Sequence, residues 1–132
     1  RTISKGDSQG MRQSGYDLKS HSGGKGVFAQ VVLTATPTSQ IGCTIDFGDI
    51  ESGWNKAVEF GVIYGCEKIQ RELWQNHAGV HIRVDDVSGT VVDTTEMSMV
   101  FVSAMAFWKA VEIFPRELPQ FEMGAHIFHF PS

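Results

Sequence analysis

The chain has 132 residues, 42% of them hydrophobic and 20% charged, with a formal net charge of −4 at pH 7. This length and composition are typical of one ordinary soluble globular domain. No run of about 18 apolar residues is present, which excludes a membrane-spanning helix, and residues 1–10 lack the apolar stretch of a signal peptide.

Positive charge is concentrated near the N-terminus. Residues 1–25 carry a net charge of +3, and the remaining residues carry −7. A basic end on an acidic body can attract phosphate groups locally, although a solvated tail would have the same composition. Residues 1–14 are predicted to form a flexible N-terminal segment, because they are poor in large apolar side chains. Residues 15–132 are then left as a single domain.

The first strands follow a glycine-rich stretch at residues 20–26. Residues 27–37 are apolar and β-branched, and Pro37 is expected to end this strand in a turn. Residues 41–50 alternate between apolar and polar side chains, which predicts a half-buried second strand. A short strand is also expected near residues 11–18.

A helix is predicted over residues 52–75, because apolar side chains recur there at three- and four-residue spacing. Ser52 is the expected N-cap. Gly61 and Gly65 lie on the apolar stripe, where glycine destabilises a helix by about 1 kcal/mol relative to alanine. We therefore expect these two residues to allow a close approach between the helix and the sheet.

The second half of the chain predicts a β-hairpin, a helix and an edge strand. Residues 77–92 resemble a hairpin with its tip near residues 86–90. Asp93 and Glu96 have capping-box spacing, and the following helix should end before Pro115. The tail at residues 121–132 could supply a last edge strand. The predicted class is α+β, a two-layer domain with two helices on one mostly four-stranded sheet.

The two cysteines, Cys43 and Cys66, have apolar neighbours in sequence and are interpreted as buried free thiols, with a disulfide as the alternative. Free thiols are typical of a reducing compartment, so the expected location is the cytoplasm.

Several classes of site do not fit the residues. A phosphate-binding P-loop requires a following helix, whereas "GGKG" runs into a strand. His77 and His81 are about 13 Å apart along a strand, and His126 and His129 would point to opposite faces, so no metal site is expected. No catalytic triad can be placed by spacing. We therefore expect no cofactor, no small-molecule substrate and no enzymatic activity in this chain.

The glycine-rich loop is better suited to an anionic partner. Glycines let backbone N–H groups approach a phosphate closely, and Lys19, His21 and Lys25 add positive charge. RNA is the class of partner that is recognised largely by shape and backbone contact. A flexible hairpin tip with no partner would have the same sequence.

Four motifs in order give the chain a family resemblance. They are "SGGKGVFAQVVL", "AVEFGVIYGCE", "HIRVDDVSGTVVDTTEM" and "SAMAFWKAV". From about residue 15 to residue 114 the chain resembles domain IV of elongation factor G and of the tetracycline-resistance ribosomal-protection proteins, which are translational GTPases. The resemblance implies an α+β fold with a left-handed β-α-β crossover.

The resemblance also implies a site. In the family, two loops form one tip that enters the decoding region of the small ribosomal subunit, so a non-catalytic, RNA-contacting role and a ribosomal partner are expected here. Any GTPase activity would lie in a domain absent from this chain. Many family members carry a histidine where this chain has Thr90. The predicted RNA-binding residues are Lys19, His21, Ser22, Gly23, Gly24, Lys25, Gly26, Ser88, Gly89 and Thr90.

One alternative keeps the fold without the ribosome. The chain would then be a protein–protein interaction module, paired as a homodimer or with a partner through its tail edge strand. The apolar tail residues expected to be exposed for this pairing are Phe121, Ile127, Phe128 and Phe130.

Overall fold

The computed structural model describes residues 11–131, apart from Gly23, His77, residues 123–124 and His126. Three strands come first, two helices follow, and one further strand and one further helix precede two short strands. In order they are β1 (Arg12–Ser22), β2 (Lys25–Thr38), β3 (Gly42–Asp46), α1 (Asn55–Lys68), α2 (Gln70–Gln75), β4 (Gly79–Gly89), α3 (Glu96–Val111), β5 (Gln120–Glu122) and β6 (Ile127–His129).

The main sheet has four strands in the order β1-β2-β4-β3. β1 and β2 form an antiparallel hairpin, β2 pairs antiparallel with β4, and β3 runs parallel to β4. The parallel pair is joined by α1 and α2, which gives a β-α-β crossover between neighbouring strands. The predicted α+β class is therefore confirmed, while the left-handed sense of the crossover stays a prediction.

Helix α3 occupies the centre of the core. Its residues from Ser98 to Ala104 are all buried, which is typical of a helix covered on every side. The sheet covers it through the inward face of β2, with Val31 and Leu33 fully buried, and α1 covers it from the side. Among the described residues, no helix is long and apolar enough to cross a membrane.

The predicted hairpin over residues 77–92 is wrong, because β4 is one continuous strand between β2 and β3. Val80, Ile82 and Val84 do face the core as expected. Asp86, the first residue of the predicted tip, instead lies within the strand next to a β-bulge. There Val84 and Asp86 pair with successive residues of β2, which leaves Asp85 as the extra residue.

The Asp85 carboxylate is anchored inside this bulge. It accepts hydrogen bonds from Thr34 Oγ1 at 2.5 Å, from Arg83 Nε at 2.8 Å and from Gln13 Nε2 at 3.0 Å. Burial raises the pKa of the Asp85 carboxyl, but the hydrogen bonds from Thr34, Gln13 and Arg83 outweigh it and hold the pKa below the ordinary 3.8. The network joins three strands of the sheet through one charged group.

Asp85→Asn is expected to lower the free energy of unfolding by about 1–2 kcal/mol at pH 7, since hydrogen bonds to a charged group are lost. A carboxyl whose pKa is lowered by folding stabilises the fold above its unfolded pKa, and this contribution disappears as the pH falls through the folded pKa. Urea unfolding from pH 7 to pH 2.5 should therefore show the difference between the two proteins shrinking below about pH 4. Asp86→Asn is the matched control, and an equal effect of both variants would contradict the assignment.

Both predicted helix caps are displaced along the chain. Trp54, not Ser52, is the N-cap of α1, and the Ser52 Oγ accepts a hydrogen bond from the Trp54 N–H at 3.1 Å. The capping box of α3 uses Thr95 and Ser98 in place of Asp93 and Glu96. The predicted helix of residues 52–75 is two helices, broken at Ile69. The second long helix ends before Pro115, as expected.

The close approach predicted at Gly61 and Gly65 exists, but it is to helix α3 and not to the sheet. A Cβ atom on Gly61 would lie 2.6 Å from the Val100 carbonyl oxygen, and one on Gly65 would lie 2.9 Å from Phe107. The backbone of α1 therefore lies directly against α3 at these two glycines, because neither has a side chain that would hold the helices apart.

The tail forms its own small sheet instead of an edge strand of the main sheet. β5 and β6 pair antiparallel with each other, and aromatic rings of β6 and of the residue after it pack onto the helices. The Phe128 and Phe101 ring centroids are 5.3 Å apart, and those of Phe130 and Tyr64 are 5.5 Å apart. Phe121, Phe128 and Phe130, expected to be exposed, are half-buried; Ile127 is exposed.

The free thiols predicted for Cys43 and Cys66 are wrong. The two residues form a disulfide that joins strand β3 to helix α1. Their positions on a strand and on the helix packed next to it bring the Cα atoms to 6.6 Å, within the range that a disulfide spans. The separation of 23 residues in the sequence did not indicate that the two side chains meet. Because the cysteines are not free thiols, they do not support the predicted reducing compartment.

The ordered N-terminal part begins earlier than predicted. β1 starts at Arg12, which pairs with Ala35 of β2, so Arg12–Ser14 belong to the domain and not to a flexible segment. Of the rest of the predicted segment, Met11 is exposed and residues 1–10 lie outside the described residues. Pro37 does not end β2, which continues to Thr38.

Candidate nucleic-acid interface

The hairpin of β1 and β2 extends beyond the rest of the sheet at one end. At the end of the hairpin, His21 pairs with Gly26 and Ser22 with Lys25. Gly24 is a turn residue between the two strands and has a φ of +80°, a conformation that disfavours a side chain. Gly23 lies outside the described residues.

Strand β4 stops short of this turn. Its last residue, Gly89, pairs with Ala29, so residues 25–28 of β2 extend about 13 Å farther at 3.3 Å per residue. The chain after Gly89 fills the space beside these residues as a loop, residues 90–95, before α3 begins. The two predicted loops therefore lie at the same end of the sheet, with the hairpin extending farther than the second loop.

The second loop is held by hydrogen bonds to itself and to β2. The Thr90 N–H donates to Thr94 Oγ1 at 2.7 Å, and the Asp93 N–H donates to Thr90 Oγ1 at 2.9 Å. Thr94 Oγ1 also donates to the Phe28 carbonyl at 2.6 Å, while the Phe28 N–H donates to the Asp93 carbonyl at 3.0 Å. Thr90 thus organises the loop through both its backbone N–H and its hydroxyl.

Two valines project from this fixed loop into solvent. Val91 is 97% exposed and Val92 is 88% exposed. Both are thus apolar side chains in solvent on a loop whose backbone is hydrogen-bonded to itself and to β2. Sequence reasoning missed them because the stretch "GTVV" was interpreted as the end of a strand.

A groove of about 290 Å³ lies beside the second loop and is lined by residues of the hairpin, of this loop and of the tail. Its lining is mostly apolar and includes one carboxylate, that of Asp93. The lining residues are Gly24, Gly26, Val27, Val92, Asp93, Thr95 and Phe128.

Two of the tip glycines have a packing role. A Cβ atom on Gly26 would lie 3.0 Å from Asp93 Oδ1, and one on Gly89 would lie 2.9 Å from Trp54 Nε1. Glycine at these two positions lets the second loop lie against the hairpin and α1. Their presence is therefore explained without a phosphate.

The remaining predicted site residues are spread around the tip. Lys19 and His21 are exposed on β1, opposite Phe28 and Gly26. Ser88 lies on β4 opposite Gln30. All the predicted site residues except Gly23, which is not described, lie at one end of the sheet. Val91, Val92 and Asp93, which were not predicted as site residues, lie at the same end.

Strands β3 and β4 also carry a cluster of a hydroxyl, an imidazole and a carboxylate, which was not predicted from the sequence. His81 Nδ1 is 2.7 Å from Thr44 Oγ1, and His81 Nε2 is 2.7 Å from Asp46 Oδ2. A backbone hydrogen bond from Gly48 and a side-chain hydrogen bond from His81 lower the pKa of the Asp46 carboxyl. The parallel register of β3 and β4, which places Thr44 beside His81, creates the cluster. It joins the edge strand β3 to β4.

Among the described residues, no group of three or more His, Cys, Asp or Glu side chains could hold a metal ion.

No protein-family model matches the chain, and no curated protein matches it. Among solved structures, the chain is similar to a protein from Thermus thermophilus, ttk003000868, with a TM-score of 0.57 and 21% sequence identity. The likeness covers 75% of this chain and 15% of the other, so it corresponds to a small part of a much longer protein. At this identity the likeness extends to the fold alone.

Proposed function

We propose that this chain is a non-catalytic module resembling domain IV of elongation factor G, and that its tip contacts ribosomal RNA. The observation that carries the proposal is the assembly of two loops, widely separated in sequence, into one projecting end. The ordered motifs of the family resemblance support it, because the glycine-rich loop and the "SGTVVDTTEM" stretch are the segments that build this end.

The tip carries charges of both signs. Lys19, His21 and Lys25 can attract phosphates, whereas Asp93 and Glu96 oppose them. A purely electrostatic mode of binding is therefore weak here. Recognition by shape, through a projecting hairpin and two exposed valines, suits folded RNA better.

A ribosomal role places the chain in the cytoplasm, where thiols are kept reduced. The proposal therefore requires that the reduced protein remain folded enough to bind. Binding should be measured both with and without a reductant for this reason.

Co-sedimentation of the domain with small ribosomal subunits across a salt series tests the proposal. Saturable binding is expected, and Lys19→Ala/Lys25→Ala should weaken it and reduce the slope of log affinity against log salt by about 1 for each phosphate that is no longer neutralised. Lys56→Ala/Arg71→Ala is the matched control, because it removes the same charge from exposed positions on α1 and α2. No binding at low salt by a folded sample, or equal losses of affinity for both pairs, would contradict the proposal.

An interaction module, either a homodimer or a complex with another protein, is the second candidate. Exposed apolar residues on the outer side of α1 and α2 favour it: Phe60 is 62% exposed, Trp74 57% and Ile63 48%. Light scattering during size-exclusion chromatography would support it by showing a dimer mass that Phe60→Ser reduces to a monomer.

A further inference from the structure

The carboxylate of Asp93 has no hydrogen-bond partner among the backbone and side-chain groups that the structure describes, although the residue is half-buried. Its backbone N–H and carbonyl are both engaged, the N–H with Thr90 Oγ1 and the carbonyl with the Phe28 N–H. The backbone of Asp93 is thus fixed, while its two carboxylate oxygens receive no hydrogen bond from the described part of the chain. A half-buried, unpaired acceptor is suited to a ligand that brings N–H donors.

The surroundings of this carboxylate are apolar and narrow. Val27 and Val92 line the groove with it, and Phe128 supplies an aromatic ring at its border. Glycine at position 26 lets the Asp93 carboxylate lie against the hairpin, since a Cβ there would lie 3.0 Å from Oδ1 and 3.1 Å from Oδ2. Drug-sized ligands occupy pockets of about 300–1,000 Å³, so a groove of about 290 Å³ suits one planar ring system.

We propose that this groove binds a single unpaired guanine base, whose N1–H and N2–H donate to the two carboxylate oxygens of Asp93. The proposal rests on the RNA-contacting function proposed above and names the chemical group that the tip recognises. The base would pack against Val92, Val27 and Phe128, as unstacked bases do on apolar and aromatic side chains.

Guanine is singled out by the arrangement of its donors. Its Watson–Crick edge presents two N–H donors side by side, which match the two oxygens of a carboxylate. Adenine and cytosine place a donor beside an acceptor, and uracil places one donor between two acceptors, so each would set an acceptor against the carboxylate. Asp93 repels phosphate and attracts this edge, which makes the tip selective for bases over backbone.

The test uses the RNA pentamers UUGUU and UUIUU, titrated into isotope-labelled protein and followed by NMR. Inosine lacks the N2 amino group of guanine and is otherwise the same base. We expect UUGUU to bind about tenfold more tightly than UUIUU, with shifts at the amides of Val92 and Thr95. In Asp93→Asn the preference should fall below twofold. Asp86→Asn, which removes an equal charge from an exposed position on β4, should keep it.

Equal affinity of the unmodified chain for the two pentamers, or a preference that survives in Asp93→Asn, would overturn the proposal. So would the absence of binding by either pentamer, or shifts of the same size from N-acetyl-arginine amide, because a guanidinium would then be the ligand. Co-sedimentation with small subunits decides the RNA-contacting function separately. Subunit binding without guanine preference would remove this inference and leave that function intact.

Discussion

Gly61→Ala is expected to lower the free energy of unfolding by about 3 kcal/mol, although alanine is intrinsically the better helix former by about 1 kcal/mol. The added Cβ would lie 2.6 Å from the Val100 carbonyl oxygen and 2.7 Å from Ser103 Cβ. Neither atom belongs to a flexible side chain that can rotate away, so α1 and α3 must separate. Urea unfolding measures the loss through a lower transition midpoint at an unchanged slope.

Alanine substitutions at two other glycines serve as comparisons for this result. Gly65→Ala meets a Phe107 ring atom at 2.9 Å, and the ring can shift, so a smaller loss is expected. Gly53→Ala meets nothing within 4 Å and should be close to neutral. A Gly61→Ala variant as stable as Gly53→Ala would contradict the described contact between the two helices.

Loss of the Cys43–Cys66 disulfide is expected to cost about 3 kcal/mol, because the bond closes a loop with a sequence separation of 23 in the unfolded chain. Cys43→Ser/Cys66→Ser should lower Tm by about 10 °C or more, measured by calorimetry. Reducing the unmodified chain with dithiothreitol should lower Tm by a similar amount. The variant itself should not respond to dithiothreitol, which makes it the control.

Alkylation by iodoacetamide gives an independent check on this bond. The unmodified chain, unfolded without a reductant, should take up no label. Two labels per chain, or a Tm unaffected by dithiothreitol, would show that the cysteines are thiols.

Local patterns predicted most of the elements but not the way in which they meet. The alternation in β3 and the apolar spacing in α3 are local signals, and both elements are present. The tip predicted near residues 86–90 was wrong because polar and small residues inside a strand resemble a turn. Gly61 signalled close packing, but only the tertiary arrangement shows that the neighbour is α3.

The candidate site was predicted in part. Glycine and lysine residues indicated the hairpin tip, and the family resemblance joined it to the second loop. Val91 and Val92 carry no signal in one sequence, since valine beside a strand is most often part of it. Asp93 was predicted to cap a helix. Its place in the groove depends on the hydrogen bond that the Phe28 N–H donates to its carbonyl, which no local pattern indicates.

Hydroxyl-radical footprinting of small-subunit RNA, with and without a saturating amount of the domain, tests the central claim most directly. If the tip contacts RNA, one confined region of the RNA should be protected, and the protection should weaken with Lys19→Ala/Lys25→Ala but persist with Lys56→Ala/Arg71→Ala. No protection at saturation, or a weak protection spread over the whole subunit, would contradict a tip-mediated RNA contact.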